Sequence, residues 1–506
     1  MRDLTKPTEV VDRDREWGLL TDFVADPSPA MRLGIVSGRR RYGKSYLLRA
    51  LTTVSDGFYF TAAREEGRVA ALRRFSQVVS EHAGLEPGNL RFDDWHTALT
   101  NAIRVCSRQR EHRVLVIDEL PYLIQHSPEI PGILQLLYDD DQQQPQTGVR
   151  IVLCGSAISV MHEILSGAKA LRGRAIVDLR LAAFDFRTSR QFWDIDDPMT
   201  ALQVDATLGG APGYQPLAGR PSPNNGFERW LGETLLNPGR AVYSRTEADY
   251  LLREEPKITQ SSTYYDVLTA VAQGAHTQSN IGAALGKPRT ALTQPLEVLE
   301  SAGYIRRDQD LLRRQHPIIT LADPVIRFNQ LIAVPMAATL EDGAAAASIG
   351  RDGVAQQIWK TSAPTYRSKI LGPHFEHLCR TWVRIFGADH LPGGLPGPVG
   401  TTEVADRTQR TKHEVDVLAL HLGSRPQTAH ADISVIGEAK ATIAPRSAGD
   451  LERLEHLRAL LTDLGHDTAR STLALFSLHG FQPDLQRAAA HRDDVLLLDL
   501  PMMYGM

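Results

Sequence analysis

Gly38 is followed, after four residues, by Gly43-Lys44-Ser45. The spacing suits a polyphosphate. Glycines let backbone N–H groups turn inward where a Cβ would crowd the approach, Lys44 would sit on the β and γ phosphates, and the Ser45 hydroxyl would ligate Mg²⁺. Further along, Asp118 and Glu119 close the apolar run Val114-Leu115-Val116-Ile117. Asp118 is placed to hold Mg²⁺ through water and Glu119 to polarise the water that attacks the γ phosphate. Ser156 ends a third run, Ile151-Val152-Leu153-Cys154-Gly155. It either touches the γ phosphate or the attacking water, or simply caps the next helix.

A second constellation lies near the other end. Asp416 is followed twenty-two residues later by Glu438 and then by Lys440. Two acids on neighbouring strands can share a hard divalent cation, Mg²⁺ or Mn²⁺, and a lysine can orient or deprotonate a water. Glu376 on a preceding helix would add a third carboxylate. The bland alternative is a solvated strand end, where acid-x-lysine is common.

The elements needed to position these groups are legible around them. Leu33-Gly34-Ile35-Val36 before the glycine loop reads as a buried strand, and Tyr46 to Leu51 after it as a helix. That context favours a phosphate loop over a plain glycine turn. Strands are also expected at 57–61, 113–117 and 149–154. Their continuous apolar runs are what a parallel sheet covered on both faces requires, and the acids fall at the carboxyl ends, where ligands bind in such sheets. Arg172, Arg174 and Arg180 follow the last of these; one would reach a neighbouring subunit's nucleotide, or all are solvated.

Residues 184–257 read as a small helical region, with a linker-like stretch at Pro216–Asn225. Residues 258–335 read as a winged helix, with helices at 264–273, 280–285 and 289–302 and a wing carrying Arg306, Arg307, Arg313 and Arg314. The order suits the major groove of DNA. Against that, Pro295 is expected to interrupt the third helix, and Glu297 and Glu300 repel phosphate, so a packing module is an equal alternative. From about residue 350 a small α/β domain is expected, with a helix at 372–387 and strands at 413–420, 433–440, 472–477 and 495–500.

Composition bounds the rest. The 506 residues suit about three domains. A net charge of −4 argues against coating nucleic acid through bulk positive charge. Three widely spaced cysteines indicate neither a disulfide framework nor a zinc site. Without an apolar leader or a run of about eighteen apolar residues, the expectation is a soluble cytoplasmic chain with no membrane partner.

The order of these pieces resembles the archaeal-type ATPase family, AAA-like P-loop proteins many of which end in a restriction-endonuclease-like PD-(D/E)xK domain. The resemblance rests on Val11–Glu16 (VDRDRE), Gly38–Ser45 (GRRRYGKS), Val114–Leu120 (VLVIDEL) and Cys154–Ser159 (CGSAIS). It continues through Leu171–Arg174 (LRGR), Leu208–Tyr214 (LGGAPGY), Leu251–Glu255 (LLREE) and Asp323–Phe328 (DPVIRF). It implies an α/β chain with a P-loop ATPase core over 1–183, a helical lid over 184–257, a winged helix over 258–335 and a nuclease-like domain over 350–506. It further implies that Lys44 and Ser45 bind phosphate and Mg²⁺, that Asp118 and Glu119 are the Walker B pair, that Ser156 is a sensor and that Arg174 is the candidate finger. The expected function is an ATPase whose nucleotide state controls a metal-dependent nuclease-like domain acting on nucleic acid. Its rival is a nucleotide-dependent switch or DNA-binding scaffold whose C-terminal fold only binds. A homo-oligomeric remodelling motor, with an arginine supplied in trans, is a third reading.

Overall fold

Alternating apolar side chains in each predicted strand serve two different cores. Leu33, Ile35, Leu115, Ile117, Ile151 and Leu153 pack with Phe58, Phe60, Phe75 and Trp95 on one face of a sheet. Val36, Val114, Val116 and Val152 pack with Trp17, Leu20, Phe23, Leu47 and Leu48 on the other. A continuous apolar run is therefore what a strand covered on both sides needs.

These contacts belong to a computed structural model that describes every residue except 1–3, 109–111, 167–168, 224–225, 260–261 and 315–316. The chain divides into two compact units. The first comprises Met1–Phe184, Ala211–Gly213 and Leu251–Gln260; the second comprises Asp185–Gly210, Tyr214–Tyr250 and Ser261–Met506.

The first unit holds strands β1 (Arg32–Ser37), β2 (Phe58–Thr61), β3 (Val114–Asp118), β4 (Arg150–Gly155) and β5 (Ala175–Arg180). Their order is β2-β3-β4-β1-β5, and every pairing is parallel. Ser37 pairs with Gly155 and Thr61 with Asp118, so the ends of these strands form one edge. The helices are α1 (Asp14–Ala25), α2 (Lys44–Ser55), α3 (Arg68–His82), α4 (Trp95–Ser107), α5 (Leu120–His126), α6 (Ile130–Gln143) and α7 (Ile158–Leu165).

The second unit begins with helices at Phe186–Trp193, Pro198–Leu208 and Gly226–Glu233. The last two residues of the linker-like stretch, 224 and 225, lie outside the described residues. Next come α8 (Thr263–Ala272), α9 (Gln278–Leu285), α10 (Thr293–Ser301) and an antiparallel ribbon of β6 (Ile305–Asp308) and β7 (Ile318–Leu321). Pro295 does not interrupt the third helix, contrary to expectation. Arg289–Leu292 is a separate 3₁₀ turn, and α10 starts at Thr293. Pro295 therefore falls in the first turn, where a missing N–H forfeits no intrahelical bond.

The C-terminal part contains α11 (Gly372–Phe386), β8 (Pro396–Asp406), β9 (Thr411–His421), β10 (Ile433–Lys440), α12 (Ala448–Asp463), β11 (Thr472–Ser477) and β12 (Val495–Asp499). The sheet order is β12-β11-β10-β9-β8, with β9 antiparallel to both neighbours and the β10, β11 and β12 pairings parallel. β8 was not expected, because it starts in a stretch rich in glycine and proline. It is an edge strand, where a proline's missing donor can face away from the ladder.

Between β6 and β7 the Asp310 carboxylate accepts from the N–H groups of Leu312 (2.9 Å) and Arg313 (2.8 Å). It also accepts from the Thr402 hydroxyl (2.7 Å) and Glu403 N–H (3.1 Å), which ties the ribbon to β8. Cys106, Cys154 and Cys379 are buried free thiols. Among the described residues no helix is long and apolar enough to cross a membrane.

Candidate nucleotide site

The glycine loop leaves β1 at Ser37 and enters α2 at Lys44. Gly38 has φ +150°, and a Cβ there would stand 2.5 Å from the Leu181 carbonyl oxygen. Gly43 has φ +91° and caps α2 in the left-handed region. Both positions need glycine because the loop lies close to neighbouring backbone and turns through conformations that a side chain resists. The turn directs the start of α2, with its unsatisfied N–H groups, toward the space above the strand ends. Ser45 is in the first turn of α2, half-buried.

Lys44 is only 4% exposed. Its Nζ donates to the Ser156 hydroxyl (2.9 Å) and the Arg39 carbonyl (3.0 Å). Ser156 in turn donates through its hydroxyl to Glu119 Oε1 (2.7 Å) and through its N–H to Oε2 (3.2 Å). Ends of β3 and β4 thus meet the glycine loop in one hydrogen-bonded chain. Ser156 does not cap the following helix; Ala157 holds that position with no side-chain bond. Glu119 is held at φ +54°, an unusual backbone conformation for a side chain of its size. Burial pushes its carboxyl above the ordinary range, opposed by the charge of Lys44 and the bond from Ser156.

Asp118 is fully buried. Its Oδ2 accepts from the Tyr59 hydroxyl (2.5 Å) and its Oδ1 from the Glu119 N–H (2.9 Å). Burial, and next to it the Asp118 charge, raise the Tyr59 phenol, so it stays a donor. Each carboxylate oxygen retains a lone pair for a metal-bound water.

Sequence reasoning assigned no chemistry to three groups that complete the surroundings. Glu254 receives Arg40 of the glycine loop (2.8 Å) and the Tyr122 hydroxyl (2.8 Å). Glu255 receives the Ser159 hydroxyl, and burial raises its carboxyl. Arg13 is buried, donates to the carbonyls of Ala182 (2.7 Å) and Tyr42 (3.3 Å), and lies over the Phe184 ring at 4.5 Å. The acidic pair Glu254-Glu255 within LLREE was the available signal. Arg174 forms a two-point pair with Asp139 of α6 (2.8 and 2.7 Å).

In the second unit, the Gly437–Val417 register sets Glu438 opposite Asp416. Asp416 Oδ2 accepts from Ala439 N–H (2.9 Å), and Arg380 donates to the Asp416 carbonyl (2.7 Å). Burial, chiefly, and then the charge of Asp416 push the Glu376 carboxyl to about 7. Burial likewise moves Asp416 to about 6, with Glu438 adding to the effect. Glu438 is 2% exposed and faces Lys440 (2.6 Å), Arg446 (3.5 Å) and Arg453 (3.5 Å). The acids are therefore neighbours, but the ligand oxygens of Glu376, Asp416 and Glu438 do not form a set lying within 4.8 Å of one another.

Residues 11–197 match the model of an ATPase domain predominantly from Archaea. An uncharacterized protein of Methanocaldococcus jannaschii is 24% identical over 338 residues, 66% of this chain and 71% of that protein. Among solved structures, a Walker-type ATPase of Pyrococcus abyssi aligns at 20% identity and a TM-score of 0.48, covering 64% of this chain and 97% of that one. The ORC2 protein of Aeropyrum pernix, in ADPNP–ADP complexes, aligns at 14% identity and a TM-score of 0.43, covering 71% and 97%. A glycine loop, the buried Asp118, the half-buried Glu119 and a serine are thus brought to one edge of a parallel sheet within the stretch, residues 11–197, that is similar to the archaeal-type ATPase domain.

Proposed function

We propose that this chain hydrolyses ATP at the edge formed by β1, β3 and β4, and that its nucleotide state controls the C-terminal domain. The observation that carries the reading is the chain from Lys44 through Ser156 to Glu119. A bound polyphosphate competes for the Lys44 ammonium, which releases the Ser156 hydroxyl and leaves Glu119 to take a proton from water. Ser45 and Asp118 would hold Mg²⁺, which neutralises charge on the β and γ phosphates. Arg40 and Arg174 would reach a phosphate only by leaving Glu254 and Asp139.

ATP binding and turnover of Lys44→Ala and Glu119→Gln test this. Lys44→Ala is expected to lose binding or turnover. Glu119→Gln should keep binding and turn over at least a hundredfold more slowly, about 2.7–4 kcal/mol in the barrier. A folded Glu119→Gln variant that retains most of its rate would remove Glu119 from the chemistry.

For the C-terminal domain, the neighbouring Glu376, Asp416 and Glu438 with Lys440 support a nuclease-type centre using Mg²⁺ or Mn²⁺ on nucleic acid. One observation favours the rival, a nucleotide-dependent switch or scaffold. Glu438 is paired with three cations, Lys440, Arg446 and Arg453, and Arg306, Arg307 and Arg313 of the winged helix pair with Asp308, Glu300 and Glu403. Binding to duplex DNA that weakens steeply with salt, with no metal-dependent cutting, would select the switch.

A further inference from the structure

Away from both sites, β8, β9 and α12 each contribute one metal-type ligand to a single point. Asp406 ends β8, His413 lies near the start of β9, and His456 projects from α12. Their ligand atoms all lie within 4.8 Å of one another. His456 Nε2 is 2.9 Å from Asp406 Oδ2, and His413 Nε2 is 3.8 Å from the same oxygen. The two imidazole planes cross at 87°, and His413 Nε2 also lies 3.3 Å from the Thr411 hydroxyl. The other carboxylate oxygen, Oδ1, is fixed by N–H donors of Thr408 (2.8 Å) and Gln409 (2.8 Å). That outer bonding leaves Oδ2 as the oxygen facing the rings, the arrangement by which second partners orient a metal ligand.

We propose that Asp406, His413 and His456 bind a divalent transition-metal ion of the Zn²⁺ class. Two neutral imidazoles and one carboxylate form a borderline donor set that suits Zn²⁺ better than Mg²⁺. Tetrahedral Zn²⁺ with bonds of about 2.0–2.1 Å places ligand atoms about 3.3 Å apart. The two separations from Asp406 Oδ2 bracket that value and the histidine–histidine one lies within 4.8 Å, so side-chain rotations would bring the three to it. The Asp406 side chain is 1% exposed while that of His456 is 40% exposed, which gives the ion a path from solvent and a fourth position for water. A metal here joins the β8–β9 hairpin to α12. The three residues are separate from the acids proposed for the nuclease-type centre, and the inference does not depend on that reading.

Purified full-length chain, stripped with chelator and dialysed, would be titrated with Zn²⁺ by calorimetry and with Co²⁺ by visible absorption. His413→Ala, His456→Ala and Asp416→Ala would run in parallel, with His456→Gln as a size-preserving variant. The expected result is one tight Zn²⁺ per chain and a tetrahedral Co²⁺ spectrum, both retained in Asp416→Ala. Affinity should fall at least a hundredfold in each histidine variant whose circular dichroism matches the parent. Absence of a tight site, unchanged affinity in both His413→Ala and His456→Gln, or loss of the site in Asp416→Ala alone would overturn the assignment.

Discussion

At the scale of single residues, the carboxyls of Glu119, Glu255, Glu376 and Asp416 are held above their ordinary range mainly by burial. A base works only when deprotonated, so kcat/KM for ATP should rise with pH through an inflection above the usual glutamate range, about 4.3. Glu119→Gln should remove that inflection, as a pH–rate profile will show. Glu376 and Asp416, at about 7 and about 6, make a separate prediction about stability. The folded state holds these protons more tightly than the unfolded chain. Their contribution is therefore fully present below the unfolded values and is lost as pH rises through about 6 and 7. Glu376→Gln should raise the melting temperature by several degrees at pH 8 and by much less at pH 4, in thermal scans without divalent metal.

At the scale of elements, the glycine loop tolerates little. Gly38→Ala meets both the positive φ and the Leu181 carbonyl, and should cost about 1–3 kcal/mol together with most of the nucleotide affinity. Thermal unfolding and nucleotide titration of the same variant will measure both. The parallel sheet was legible because Val114, Leu115, Val116 and Ile117 leave no face polar, and a strand of that kind has few other places to go. The edge that carries the candidate nucleotide site was legible for the same reason, since strand ends fix where Asp118, Glu119 and Ser156 must stand. Glu254 was not, because it lies in a turn between two helices and nothing local says which distant arginine and tyrosine it will meet. Tyr59 was hidden inside Phe58-Tyr59-Phe60, an aromatic run whose middle hydroxyl gives no local sign of reaching Asp118. Asp406, His413 and His456 were equally invisible, being separated by seven and forty-three residues and joined only by tertiary packing. Pro295 was misplaced by reading the third helix four residues too long at its start, from 289 rather than Thr293, a boundary that propensity sets poorly.

At the scale of the whole molecule, the candidate nucleotide site and the acids proposed for a nuclease-type centre lie in different units. If nucleotide state governs the second, Mg²⁺ or Mn²⁺ with supercoiled DNA, single-stranded DNA or RNA should give cutting that ATP alters. Asp416→Ala should abolish it, and Lys44→Ala should remove only the response to ATP, as gel analysis of products will show. ATP turnover without cutting of any substrate would move the reading to the switch. A ring with Arg174 acting in trans predicts a fall in turnover of about a thousandfold in Arg174→Ala. Unchanged turnover would leave that arginine to its pair with Asp139.

The three buried thiols turn this division into a built-in reporter. Burial pushes Cys106 to about 12 and the other two well above the ordinary range, so the reactive thiolate is scarce while the chain is folded. An alkylating reagent then modifies each site only when its surroundings open. Cys106 and Cys154 time the opening of the first unit and Cys379 that of the second, so mass spectrometry of labelled peptides, with and without ATP, would give a separate clock for each.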